Sequence, residues 1–240
     1  MAKEAKVVLI IVEGPSDETA LSVLEKLLST QQVKFFVVHG DITTKKGVSA
    51  GTVRGEMKEY LDFYLSCSKL KQSDILQIIH IVDMDGAYVS DDVIEYNANV
   101  DHPMYFVDKI ETNKVNDLKE THLQKKSVLD KLSTTPFINK TVPYSIYYFS
   151  CNLEHVFHNR LEDFSDDEKE ELANEVDDRY HDDLESFIVF LENSSFTVQQ
   201  DYLNSWKFIK EGLNSLNRYS NVHLIFEKIR ESQQKYSEDN

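Results

Sequence analysis

The sequence predicts an α/β fold built on a mainly parallel sheet, with a helical extension at its C-terminal end. Three observations predict it. Apolar, β-branched or aromatic runs recur through the first half, at Val7–Val12, Phe35–Val38 and Ile75–Val82. Helically spaced apolar residues separate these runs, and a β-α-β-α-β order requires parallel strands with helices on their faces. From Asn152 onward only helical periodicity remains.

Val7–Val12 is apolar at every position, as expected of a strand buried on both faces. Ser16 and Asp17 then offer a helix cap, with Ala20, Leu21, Leu24, Leu27 and Leu28 at helical spacing behind them. Phe35–Val38 is the second strand. A helix over 51–65 follows, with Met57, Leu61 and Leu65 on one face. Ile75–Val82 is the third strand. The stretch 88–137 is less regular, with a short strand at Met104–Val107 and a Lys-rich helix at His122–Leu132. Pro143–Phe149 reads as the fourth strand of the sheet. Three apolar stripes follow, around Leu172–Leu191, Leu203–Leu216 and Leu224–Ile229. The expected organisation is a core over 1–150, carrying an insertion at about 88–140, and a helical subdomain over 151–240. No Pro/Gly linker marks the seam, so the two can form one continuous unit.

Composition narrows the function classes. No apolar run approaches the ~20 residues of a membrane span. Two cysteines, Cys67 and Cys151, cannot build a disulfide scaffold and point to reduced thiols in a cytoplasm. The net charge of −16 disfavours polyanion binding at face value. It is unevenly spread: Glu162–Glu185 holds 13 acids against Lys169 and Arg179, a local −11, which leaves −5 for the rest of the chain. Lys109–Lys140 holds seven Lys against four acids. The acidic block reads first as a solvated helix face. The Lys-rich stretch, with Tyr105 and Phe106 beside it, is the best nucleic-acid surface on offer, and Lys125 and Lys126 are its candidate substrate contacts.

Two acidic clusters directly follow buried strands. Glu13-Gly14-Pro15-Ser16-Asp17 follows Val7–Val12, and Asp83-Met84-Asp85-Gly86 follows Ile75–Val82. In open α/β sheets, ligands bind at the carboxyl ends of the strands. If those strands are neighbours, several carboxylates converge, repel one another and are pushed up in pKa unless a cation joins them. Oxygen donors without His or Cys favour Mg²⁺ or Mn²⁺. Ser16 and Asp17 also serve as plain helix caps, and acid-Gly pairs as plain turns. Glu13 ends an apolar strand and is not needed as a cap.

The pattern strand–Glu13-Gly14-x-x-Asp17–helix, then strand–Asp83-x-Asp85-Gly86, resembles the Toprim domain of topoisomerases, primases, recombination-repair proteins and OLD-family nucleases. The resemblance covers about the first half of the chain and implies a Toprim-like (Rossmann-like) fold with a Mg²⁺-dependent site. It implies acid/base or metal-binding duty for Glu13, metal binding by Asp83 and Asp85, and support from Asp17. Ala87 stands where topoisomerases often carry a third acid, and no zinc-finger cysteines are present. The small chain therefore resembles the nuclease branch, including effectors of anti-phage defence.

Further candidates lie at the same predicted edge. Lys45 and Lys46 follow the second strand; Lys45 is a candidate phosphate contact and Lys46 a candidate for stabilising transition-state charge, without a pattern that chooses between them. Glu154, after the fourth strand, is a candidate metal ligand or supporting acid, while Asn152 caps its helix. There is no Gly-x-x-x-x-Gly-Lys-Ser/Thr. The expected function is a Mg²⁺- or Mn²⁺-dependent nuclease acting on RNA or DNA, controlled by a separate ATPase partner. The alternative is a non-catalytic binding protein of the same fold, and a third reading is phosphoryl transfer to a small substrate.

Overall fold

A computed structural model of the protein describes residues 6–27 and 32–230. Leu28, assigned above to the first helical stripe, lies outside the described residues. The elements run β1 (Val7–Val12), α1 (Pro15–Leu21), a 3₁₀ segment (Ser22–Leu27), β2 (Gln32–Val37), α2 (Val53–Ser68), β3 (Ile75–Asp83), β4 (Ile94–Tyr96), β5 (Met104–Tyr105), β6 (Ile110–Thr112), α3 (Val115–Ser133), β7 (Phe137–Ile138), β8 (Val142–Phe149), α4 (Leu153–His158), α5 (Asp166–Tyr180), α6 (Leu184–Asn193) and α7 (Tyr202–Phe208).

The main sheet has the order β2-β1-β3-β8-β7. Its first four strands are parallel, and only the short β7 runs antiparallel, as a hairpin with β8. The fold is thus α/β with a mostly parallel central sheet. Every residue of β1 is buried, which explains its unbroken apolar run: helices cover both faces. β2 begins three residues earlier than its apolar signature, because edge strands tolerate a polar residue such as Lys34, which is exposed. No helix among the described residues is long and apolar enough to cross a membrane.

Apolar packing on one face joins Val8, Ile10 and Val12 to α1, α4, α5 and α6 and to Val222, Ile225, Phe226 and Ile229. The C-terminal helices therefore share a core with the sheet. On the other face, Val7, Leu9 and Ile11 pack with Met57 and Leu61 of α2, with Val128, Leu129 and Leu132 of α3, and with Trp206 of α7. A second sheet, β4-β6-β5, sits beside this face with a small cluster of its own around Val89, Ile94, Ile110 and Leu216. β7 covers only the start of β8. Beyond it, side chains complete the edge: Asn221 Oδ1 accepts from Tyr148 N at 2.9 Å, and Trp206 Nε1 donates to the Ile146 carbonyl at 3.3 Å. Buried backbone groups are thereby satisfied without another strand.

The acidic block forms most of α5 and its flanks. Its apolar residues Leu172, Ala173 and Val176 turn inward, and most of its carboxylates face solvent. α1 starts one residue before the expected cap: Pro15 takes the first helical position, which suits its fixed φ and missing N–H, and Asp17 falls inside the first turn.

Candidate functional site

β1 and β3 are adjacent and parallel, with Ile11 beside His80. Continuing that register brings Glu13, just past the end of β1, level with the last residues of β3. β8 flanks β3 on the other side and pairs Phe149 with Asp83. The chain then turns at Cys151, whose φ is +54°, and α4 begins, with Asn152 Oδ1 capping His155 N at 2.8 Å. Asp85 also has a positive φ, of +48°, and its N–H donates to the Cys151 carbonyl at 2.9 Å. These turns bring Glu13, Asp17, Asp83, Asp85 and Glu154 to one carboxyl edge, as the sequence leads one to expect of neighbouring strands.

At this edge the acids act on one another electrostatically. Burial pushes the Asp83 carboxyl well above the usual carboxylate range, and the charges of Asp17, Glu13, Glu154 and Asp85 push it further. Burial does the same for Glu13, with Asp41 next in effect and Lys125 opposing. Asp17 is pushed up to about 6, mainly by burial and against the N–H of Gly14, which donates to its Oδ2 at 2.8 Å. Glu13 as a residue is only half-buried, yet its Oε1 is out of contact with solvent and has no hydrogen-bond partner. An orphaned carboxylate oxygen beside further carboxylates fits a hard divalent cation, whose ligands are oxygens. Among the described residues no three His, Cys, Asp or Glu side chains are grouped so that they could hold a metal ion as they stand. Asp41 and Asp85 are instead turned onto a lysine.

That lysine is Lys125, and its place differs most from expectation. It is a fully buried side chain of α3, not a surface contact of a basic patch. Its Nζ lies 2.8 Å from Asp41 Oδ2 and 2.5 Å from Asp85 Oδ2. Burial alone would drive its ammonium to lose a proton, but Asp85, Asp41 and Glu13 outweigh this and hold its pKa well above normal. The reciprocal effect appears on Asp41: burial opposes ionisation, but Lys125 and Thr43, whose N–H donates at 2.6 Å, hold its pKa below the ordinary value. Asp41 belongs to the site although no motif singles it out. Its signal is position, four residues beyond β2 on the same edge. The signal for Lys125 is periodicity: Leu118, His122, Lys125, Leu129 and Leu132 form the buried stripe of α3, so a cation sits where a core residue belongs. His122, one turn earlier, is buried beside Asp85; burial brings its pKa down to about 4.

The other candidates are dispersed. Lys45 is ion-paired with Glu56 and lies 5.2 Å from the Tyr60 ring centroid. Lys46 is exposed on the same loop. Lys126 Nζ donates to the Val89 carbonyl at 3.3 Å, away from the carboxylates. The Lys109–Lys140 stretch forms no single surface, since Lys109 is paired with Glu95 and Glu111 and Lys125 is interior. Glu154 is buried in the first turn of α4 and bears on both Asp17 and Asp83. The chain matches no protein-family model, no curated protein and no solved structure.

Proposed function

We propose that the protein is a metal-dependent nuclease that hydrolyses phosphodiester bonds of RNA or DNA at the carboxyl edge of β1 and β3, in the manner of Toprim-like enzymes. The observation that carries this reading is the meeting of Glu13 and Asp83 from adjacent strands, with Glu13 Oε1 buried and unpartnered. Asp83, Asp85 and Glu13 would hold Mg²⁺ or Mn²⁺, with Asp17 and Glu154 supporting them. Such an ion supplies charge neutralisation at the phosphate and an acidified water. Burial and the neighbouring acids raise the pKa of Glu13, which suits it to pass a proton. Lys125 is the cation nearest the acids and takes over the role first given to Lys46, holding Asp41 and Asp85 in place and lending positive charge to the pocket.

A cytoplasmic setting, and control by a separate ATPase, belong to the same proposal; they rest on the two thiols and on the missing P-loop motif. The test is cleavage of RNA and DNA by the purified protein with Mg²⁺ or Mn²⁺, with Glu13→Ala as the control. Metal-dependent cleavage that Glu13→Ala abolishes is expected; equal cleavage by both proteins contradicts the reading. One observation favours the alternative of a binding protein without turnover: Lys125 already neutralises part of the cluster from within. Metal binding without cleavage of any nucleic acid, partner present, would establish that alternative.

A further inference from the structure

Away from the carboxylates, on the face covered by α2 and α3, lies a surface groove of about 420 Å³ lined by Arg54, Lys58, Lys131 and Lys140, with Ala50 and Gly51 at one end. Among the described residues no carboxylate lines it, in a chain whose net charge is −16. Lys58 is tied to Asp62 within α2, and Arg54 Nη2 donates to the Phe137 carbonyl at 3.3 Å. Arg54, Lys131 and Lys140 are all exposed. Lys140 stands at the tip of the β7–β8 hairpin with φ +66°, beside Asn139 at φ +49°. A left-handed backbone ordinarily selects Gly or Asn. The tight β7–β8 turn imposes these angles and sets Lys140 on the rim of the groove.

One loop and one helix link the groove to the carboxylate site. Residues 41–52 form one loop that carries Asp41 at its start and borders the groove with Ala50 and Gly51 at its end. Gln124 of α3 pins this loop, donating to the carbonyls of Thr43 at 3.2 Å and Lys45 at 3.0 Å. Lys131 follows Lys125 on α3 by six residues, a rise of about 9 Å.

We propose that this groove binds the sugar-phosphate backbone of a nucleic acid and leads it towards the carboxylates. The direction of travel rests on the nuclease reading, whereas backbone binding stands without it. Four cations around an open groove suit successive phosphates and read no base edge, so binding is indifferent to sequence and sensitive to salt.

The test uses the full chain without divalent metal and fluorescence anisotropy with labelled single-stranded and duplex RNA and DNA. Arg54→Glu/Lys131→Glu/Lys140→Glu is expected to weaken binding roughly tenfold or more at low salt and to flatten the log K against log salt slope by about 2 for a single strand. Lys109→Glu/Lys119→Glu, outside the groove, is expected to bind as wild type. The four nucleic acids show which source supplies the backbone. In the wild-type protein, acetylation footprinting should show Lys58, Lys131 and Lys140 protected by the bound strand and Lys109 not, which needs no variant to fold. Wild-type affinity of the triple variant, no binding by the wild type, or no protection of these lysines would overturn the proposal. Cleavage unaffected by the triple reversal would sink the groove and leave the nuclease; groove-dependent binding without cleavage under any metal would do the reverse.

Discussion

The acids of α5 and its flanks and the acids at the β1/β3 edge are the same chemical groups in opposite circumstances. Between Glu162 and Glu185, 13 carboxylates crowd into one segment. Those whose pKa moves there move down: the Ser165 N–H and hydroxyl hold Glu168 below its usual value, Ser186 does so for Asp183, and Lys26 for Asp182. At the strand ends fewer acids gather, and Glu13, Asp17 and Asp83 all move up. Number does not decide the outcome. Water and helix N-termini stabilise ionised carboxylates on α5, whereas the strand ends withhold water and set the acids against one another. In the second arrangement a bound cation would relieve the repulsion.

The largest expected effect tests the cation already present. Lys125→Met leaves Asp41 and Asp85 facing each other without their shared ammonium and should cost about 3–5 kcal/mol in metal-free urea unfolding. Added Mg²⁺ should recover part of that loss. On α5, the exposed Asp178→Ala should change stability by no more than about 0.5 kcal/mol.

The pH dependence sharpens the contrast next. Asp17 has an ordinary pKa of 3.8 and is raised to about 6 in the fold. A raised carboxyl stabilises the fold while protonated, so its contribution is present below about pH 4 and is lost as pH rises to about 6. The stability of wild type relative to Asp17→Asn, which keeps an oxygen for the Gly14 N–H, should therefore fall across that window by at most about 3 kcal/mol. A flat difference across pH 4–6 would show that Asp17 is solvated like the acids of α5.

Asp83 gives an effect of the same sign. Asp83→Asn removes a carboxyl whose ionised form burial and its acidic neighbours disfavour, and should raise metal-free stability at pH 8, while destroying cleavage. The smallest is Glu170→Gln/Glu171→Gln on α5, which should stay within about 0.5 kcal/mol and leave metal response unchanged. Equal responses from the two regions would erase the distinction drawn between them.

Much of this was legible in the sequence. The apolar runs gave the strands because burial on both faces leaves few polar positions in them, Gln77 and His80 of β3 being buried exceptions, and acids directly after such runs had to emerge at the carboxyl edge. The pairing of Lys125 with Asp41 is not legible, because it spans 84 residues of chain and no local spacing encodes it; the sequence marks Lys125 only as a surface contact for substrate. Lys125 was further hidden among seven lysines that composition treats alike, although its place on the Leu118–Leu132 stripe set it apart. Ser16 and Asp17 suggest the cap itself, but Pro15 starts the helix earlier, so Gly14 is the cap and Asp17, in the first turn, accepts from its N–H.

The central claim, that carboxylates from β1 and β3 form one hard-cation site, is tested most directly by calorimetric titration of Mn²⁺ into the wild-type protein, Glu13→Gln, Asp83→Asn and the Glu170→Gln/Glu171→Gln control. Binding by wild type and control with release of protons, weakened by at least about tenfold in Glu13→Gln and in Asp83→Asn, is the expected result. Absence of binding, or equal affinity in all four proteins, would contradict it.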